Sequence, residues 1–230
     1  MYPHSAKKLT VYVSRICPFA NRAILSLHES GVDFKEVLID LENKPEWYKE
    51  VNPALKVPAL RLPNGKILVE STLIAEFVAD SYPEANLLPK DPLERYEVRN
   101  FIEFYNSKVS PYFMQLLKLN KQPRDENAID QKVSELTQNL RELNTKLKEH
   151  SSKGPHFGGS HFGFADIITF PFYERLDITL EMLGRSINNI KGLDRVYEWA
   201  RAIRERESYK TRIAPRQDIA KALQSLSKRF

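Results

Sequence analysis

Leu9-Thr10-Val11-Tyr12-Val13-Ser14-Arg15-Ile16-Cys17-Pro18-Phe19-Ala20-Asn21-Arg22-Ala23-Ile24-Leu25-Ser26-Leu27 is the stretch that decides how this chain folds. Leu9 to Val13 is a short apolar run of β-branched and aromatic side chains, which reads as a strand. Pro18 suits the first position of a helix, where its missing N–H would lack a partner in any case. Ala20, Ala23, Ile24 and Leu27 then fall on one helical face, and Gly31 supplies a stop. The single cysteine of the 230 residues therefore stands at a strand-to-helix junction.

Outward from this junction, Phe34 to Ile39 reads as a second strand. Roughly 20 residues separate it from the first, enough for a right-handed β-α-β crossover, so the two strands are expected to be parallel. Pro45 to Val51 reads as a short helix, Val57 to Leu62 as a third strand and Ile67 to Glu70 as a fourth. Asn64-Gly65 is the hairpin turn that makes the last two antiparallel. Ser71 to Tyr82 carries Leu73, Ile74, Phe77 and Val78 at helical spacing, with Ser71 near its start and Pro83 beyond its end. The order β-α-β-α-β-β-α is thus complete within residues 1–85. Residues 86–92 hold two prolines and read as a linker. Strand signals then vanish, and helical periodicity recurs over Leu93–Leu119, Asp125–His150, Phe164–Leu183, Leu193–Arg206 and Arg216–Lys228. Residues 93–230 are expected to be an all-helical domain, its basic last stretch reading either as a helix or as a frayed tail.

Composition bounds the function classes. Hydrophobic residues at 42% and charged residues at 28% describe a chain that folds. The net charge of +5 comes from 35 basic and 30 acidic residues interspersed along helices, which describes a solvated surface better than a nucleic-acid site. The basic segment Lys221 to Phe230 alone points the other way. No apolar run reaches the length of a membrane span and no secretory pattern opens the chain, so a cytoplasmic protein is expected. One cysteine excludes an intramolecular disulfide and a multi-thiolate metal site, and the five histidines lack metal-ligand spacing, so no metal is expected. Trp47 and Trp199 lie in apolar helical patterns and read as packing anchors.

Cys17 must then be explained by packing or by reactivity. At the start of a helix, unpaired backbone N–H groups and the positive end of the dipole favour a thiolate. Arg15 and Arg22 either add to that potential or are plain surface charges. Ala20 occupies the place of the second thiol in a C-x-x-C dithiol site, so a mixed disulfide at Cys17 needs an outside thiol to release it. Val57-Pro58 places a proline at a strand start or in a tight turn, where a cis bond is tolerated. Glu70-Ser71 sets a carboxylate and a hydroxyl beside free helix N–H groups. It reads equally as a simple N-cap and as a holder for the ammonium and carboxylate of an amino-acid end.

Taken together, Cys17-Pro18-Phe19-Ala20, Lys44-Pro45-Glu46-Trp47, Asn52-Pro53, Val57-Pro58 and Glu70-Ser71 resemble the cysteine-type glutathione transferases of the omega class. The resemblance continues through Leu87-Leu88-Pro89 and Asp91-Pro92 and resumes at Phe157-Gly158-Gly159 and Phe172-Tyr173-Glu174-Arg175. Cys-Pro-Phe is shared with plant dehydroascorbate reductases and chloride intracellular channel proteins, and Pro-x-Trp-Tyr-Lys-Glu also resembles the lambda class.

This resemblance implies a thioredoxin-like glutathione-binding domain followed by the helical domain, and a homodimer pairing the first domain of one chain with the second of its partner. It implies glutathione as cosubstrate with no permanently bound cofactor, and Cys17 as the residue that forms the mixed disulfide. Phe19 would line the glutathione site, Leu41 and Lys44 flank the glycyl end, Val57 with Pro58 meet the cysteinyl unit, and Glu70 and Ser71 hold the γ-glutamyl end. Tyr112, Phe172 and Arg175 would line an acceptor pocket, although core packing or a structural ion pair accounts for them comparably. Gly163-Phe164-Ala165-Asp166 resembles the family's helix-start box, with Gly163 where Ser or Thr is usual. The implied activity is thiol transfer, with reduction of dehydroascorbate or glutathionyl ketones allied to it. A non-catalytic ligand carrier or a membrane-inserting relative is the alternative. Retention of Cys17 argues against the carrier, and Arg22 with the nearby acidic residues argues against the inserting relative.

Overall fold

The computed structural model describes residues 2–151 and 153–230. Its sheet contains β1 (Leu9–Val13), β2 (Phe34–Leu38), β3 (Ala59–Arg61) and β4 (Ile67–Val69) in the order β2-β1-β3-β4. β1 pairs with β2 in parallel, from Leu9 opposite Phe34 to Val13 opposite Leu38. It pairs antiparallel with β3, Tyr12 opposite Ala59, and β3 pairs antiparallel with β4, Ala59 opposite Val69. All five residues of β1 are buried, as a central strand of this composition requires. Val57-Pro58 precedes β3 instead of opening it, because proline has no N–H for the ladder, and its peptide bond is cis. Gly65, at φ +91°, makes the hairpin turn expected of Asn64-Gly65, and Asn64 Oδ1 accepts from the Lys66 N–H at 3.0 Å. Because β4 runs with β1 and β2, the C-terminal ends of these three strands and the N-terminal end of β3 meet at one edge of the sheet.

Three helices belong to this unit: α1 (Pro18–Glu29), α2 (Tyr48–Val51) and α3 (Ser71–Ser81). The helical part comprises α4 (Pro92–Lys108), α5 (Pro111–Leu119), α6 (Glu126–His150), α7 (Phe164–Met182), α8 (Asp194–Glu205), α9 (Glu207–Arg212) and α10 (Arg216–Ser227). The single helix expected over Leu93–Leu119 is two, since Pro111 cannot continue α4 and instead takes the first position of α5. Pro92, counted with the linker in the sequence, opens α4 under an Asp91 cap that accepts from the N–H groups of Leu93 and Glu94. The basic terminal stretch forms α10 and is not a tail.

The core centres on α7, in which every residue from Phe164 to Leu180 is buried. Such a helix must satisfy its polar groups internally. Asp166 does so at its start: its carboxylate accepts from the N–H groups of Gly163 and Phe157, both at 3.0 Å, and from Trp199 Nε1 at 2.7 Å. A Cβ at Gly163 would lie 3.1 Å from the Leu87 carbonyl oxygen, a tight approach that glycine relieves. Further along, buried Glu174 and Asp177 each pair with Arg204 of α8 and Arg216 of α10 at 2.6 to 2.8 Å, tying both helices to the core. Removing a carboxylate that serves three buried donors is expected to be severe. Asp166→Ala should lower unfolding free energy by about 3 kcal/mol or more in denaturant titrations, and a loss under 1 kcal/mol would contradict this account of the helix start.

Candidate active site

The sheet edge gathers the segments singled out in the sequence. Cys17 follows β1, Leu41 and Lys44 follow β2, Val57-Pro58 precedes β3 and Glu70-Ser71 follows β4. Cys17 is the N-cap residue of α1, with its N–H bonded to the Ser14 carbonyl at 3.0 Å and its carbonyl accepting from the Asn21 N–H at 3.0 Å. Two side chains fasten the loop in front of it. Asn21 donates to the Arg15 carbonyl at 2.9 Å, and Arg175 of α7 donates to the Ile16 carbonyl at 2.8 Å and to Asn21 Oδ1 at 2.6 Å. Arg15 forms a two-armed pair with Glu36 of β2 at 2.8 and 2.9 Å, and its charge is spent there.

Cys17 is half-buried, and two effects compete at its sulfur. Burial pushes the thiol above its ordinary value. The N–H groups of Ala20 and Phe19 and the guanidiniums of Arg175 and Arg22 pull the other way without cancelling it. Neither N–H closes a capping hydrogen bond to the side chain. The helix start thus moderates the cost of a thiolate, where the sequence reading gave it the deciding part.

Glu70 has φ +70°, a conformation that non-glycine residues rarely adopt, and is exposed. Its twist launches α3 directly from β4. Ser71 lies inside the first turn, buried, and its hydroxyl makes no capping bond, so the plain N-cap reading of this pair does not hold.

A cavity of about 520 Å³ opens beside Cys17, walled by Phe19 and Leu41 on one side and by Phe113, Met114, Leu223 and Leu226 on the other. Lys44, Val57, Pro58, Glu70 and Ser71 share the sheet edge but do not line this space. None of the three expected acceptor-pocket residues lines it either. Tyr112 turns toward α6 and hydrogen-bonds Glu135 at 3.3 Å, while its neighbour Phe113 faces the cavity. Phe172 is buried beneath Phe19, edge to face at 4.9 Å. Arg175 is fully buried and holds the Cys17 loop from behind. The opposite wall comes from α10, whose Ile219, Leu223 and Leu226 stand at helical spacing, a pattern legible in the sequence beneath its basic charge. Arg229 at its end pairs with Glu42 at 3.2 Å across the opening.

A thioredoxin-like sheet with a lone thiol at its first helix, followed by a helical part that walls the thiol's cavity, defines the class. Residues 16–81 match the family model described as Glutathione S-transferase, N-terminal domain, and residues 126–202 match Glutathione S-transferase, C-terminal domain. The chain is 36% identical over 171 residues to glutathione S-transferase omega-1 of Sus scrofa, which covers 74% of this chain and 67% of that protein. It is 32% identical over 183 residues to pyrimidodiazepine synthase of Drosophila melanogaster, covering 78% of this chain and 70% of that one. The crystal structure of glutathione transferase Omega 1C from Trametes versicolor is similar with a TM-score of 0.79 at 29% identity, over 96% of this chain and 97% of that one. The chain belongs to the glutathione S-transferases, and within them to the omega class.

The competition at Cys17 has a measurable pH signature. With the thiol held above its ordinary value, the thiolate fraction grows about tenfold per pH unit up to the raised pKa. Alkylation by iodoacetamide, which has a single cysteine to modify, should therefore climb through neutral pH and still be rising at about pH 8.5, the ordinary thiol value. A plateau already reached at pH 7 would mean that the helix start outweighs burial.

Proposed function

We propose that this glutathione transferase is a thioltransferase working through a Cys17–glutathione mixed disulfide. The observation that carries the reading is a lone thiol at a helix start facing an open cavity, with no second cysteine in the chain to resolve a disulfide. The Cys17 thiolate attacks the glutathionyl sulfur of a mixed disulfide, the S–S bond breaks, and the departing thiolate takes a proton. A second glutathione thiolate then attacks the glutathionyl sulfur of that disulfide, the bond to Cys17 breaks, and glutathione disulfide leaves with the Cys17 thiolate restored. A raised thiol pKa is compatible with this chemistry, because nucleophilicity increases with pKa as the thiolate fraction falls. Dehydroascorbate and glutathionyl ketones are the allied substrates.

On this reading residues 1–85 bind glutathione and residues 93–230 supply the acceptor wall across the 86–92 linker. Leu41 and Lys44 flank the glycyl end, Val57 with Pro58 meets the cysteinyl unit, and Glu70 with Ser71 takes the γ-glutamyl end. Phe19 lies between glutathione and acceptor. Their common position at one sheet edge supports the assignment. A cytoplasmic setting, where glutathione stays reduced, suits a thiol that must be released from disulfides.

A homodimer is supported by exposed apolar side chains on both parts of the chain: Val69 and Leu73 near β4 and α3, Leu93 and Tyr96 on α4. Light scattering should give twice the monomer mass at micromolar concentrations and a shift to monomer in Leu73→Glu. A monomer mass for the wild type would refute the pairing.

Cys17→Ser is the direct test of the chemistry, since a hydroxyl stays protonated without a dedicated base and cannot form a disulfide. After exposure to glutathione disulfide, intact mass should show one glutathionyl unit on the wild type and none on Cys17→Ser. Turnover of a glutathionylated peptide should fall to background in the variant, and turnover near the wild-type rate would end the proposal.

A further inference from the structure

Arg22 is a buried cation without an anion. It stands on α1 five positions after Cys17 and is 5% exposed. Among the described residues no carboxylate lies within 4.0 Å of it. Its hydrogen bonds run to neutral oxygens: Nε to the Ile168 carbonyl at 2.8 Å, Nη1 to Ser71 Oγ and Thr72 Oγ1 at 3.4 Å each, and Nη2 to Asn106 Oδ1 at 3.4 Å. The guanidinium face rests on the Phe172 ring at 4.4 Å, with Phe19 at 5.7 Å. Burial lowers the group to about 10, which leaves it charged at neutral pH.

Leaving a charge buried and unpaired is among the costliest arrangements in a protein interior. Three of the four contacts are also longer than a good N–H to O bond. What this cation faces is the first turn of α3, where free N–H groups favour negative charge. Ser71 Oγ accepts from Arg22 and donates to no described residue, so its own hydrogen is left for something outside the chain. Aromatic rings close off the rest of the guanidinium, so the missing anion reaches this charge by way of the hydroxyls.

We propose that Arg22 is a positioning residue for the α-carboxylate of the γ-glutamyl unit of glutathione. It anchors the Ser71 hydroxyl from behind with the hydrogen directed outward, and it sets a positive charge that the bound carboxylate neutralises. The inference rests on reading Ser71 as part of the glutathione site. It also gives a reason for selectivity. A γ-linked glutamyl unit keeps its α-carboxylate free, whereas an ordinary peptide has used it in the amide bond, so only the former answers the unpaired charge.

The test is a double-mutant cycle on the full chain with S-methylglutathione, which binds without disulfide exchange. Arg22→Gln and Ser71→Ala should each weaken binding on the order of tenfold, as loss of a charge-assisted hydrogen bond does. The double variant should be no weaker than the weaker single one. With the S-methyl analogue built on 4-aminobutyryl-cysteinyl-glycine, which lacks the α-carboxylate, Arg22→Gln should bind as the wild type does. Arg22→Lys keeps the charge without the second arm to Ser71, and its affinity should fall between wild type and Arg22→Gln. Multiplying losses in the double variant, an equal loss with the analogue, or a wild-type affinity in Arg22→Lys would each overturn the role of Arg22 while leaving the Ser71 site intact. An unchanged affinity in Ser71→Ala would remove the site itself. Thermal melting of each variant guards the reading, and if Arg22→Gln does not fold, Arg22→Lys carries the same cycle.

Discussion

The contact of Arg175 with the Ile16 carbonyl and Asn21 is the one on which the rest depends. It joins the buried centre of the helical part to the loop that ends at Cys17, at 2.8 and 2.6 Å, inside a protein interior where such bonds are strong. α7 can act as this fixed post because it is buried along its length and because Asp166, Glu174 and Asp177 satisfy neighbouring elements on every side. The thiol is therefore positioned from the domain that does not contain it.

The same buried post sets the electrostatics. Arg175 and Arg22 both bring positive charge toward the sulfur, and both are themselves depressed by burial. Desolvation thus acts on both sides of the pair: it raises the thiol and weakens the hold of each guanidinium on its proton. Burial prevails at the thiol, with the guanidiniums and helix N–H groups opposing it.

The first half of the fold was legible because each of its signals is local. A β-branched run, a proline at a helix start and Asn64-Gly65 fix strands, helix and hairpin without reference to distant residues, and the crossover rule supplies the parallel pair. The family resemblance then named the sheet-edge residues that the topology brings together. That Tyr112, Phe172 and Arg175 do not line the cavity beside Cys17 was not legible, for the opposite reason. Whether Tyr112 or Phe113 faces the cavity depends on the rotation of α5 against α6 and α10, which neighbouring positions on one helix do not reveal. Arg175 looked like a pocket residue because its motif lies close to the site, yet its guanidinium is buried and bonded to the Pro171 and Ile16 carbonyls and to Asn21 Oδ1. α10 was legible from its periodicity, the apolar spacing of Ile219, Leu223 and Leu226, while its basic charge left a frayed tail as the alternative. Short α9 carries too few residues for periodicity to mark it.

The chain's single cysteine imposes a last constraint on the geometry. On the proposed chemistry the first glutathione remains attached at the sheet edge while a second thiol must reach that glutathione's sulfur, roughly in line with the bond to Cys17 that it breaks. The sheet edge cannot serve both. The cavity between Phe19, Phe113 and the apolar face of α10 is the approach that remains, and its far rim is held across the domains at Glu42, the residue next to Leu41, which pairs with exposed Arg229 and accepts from the Ser225 hydroxyl, each at 3.2 Å. An exposed pair contributes little to stability and is screened by salt. The wall that admits the second reactant is accordingly fastened tightly at the Arg216 end, by buried carboxylates, and loosely at the end that faces the thiol.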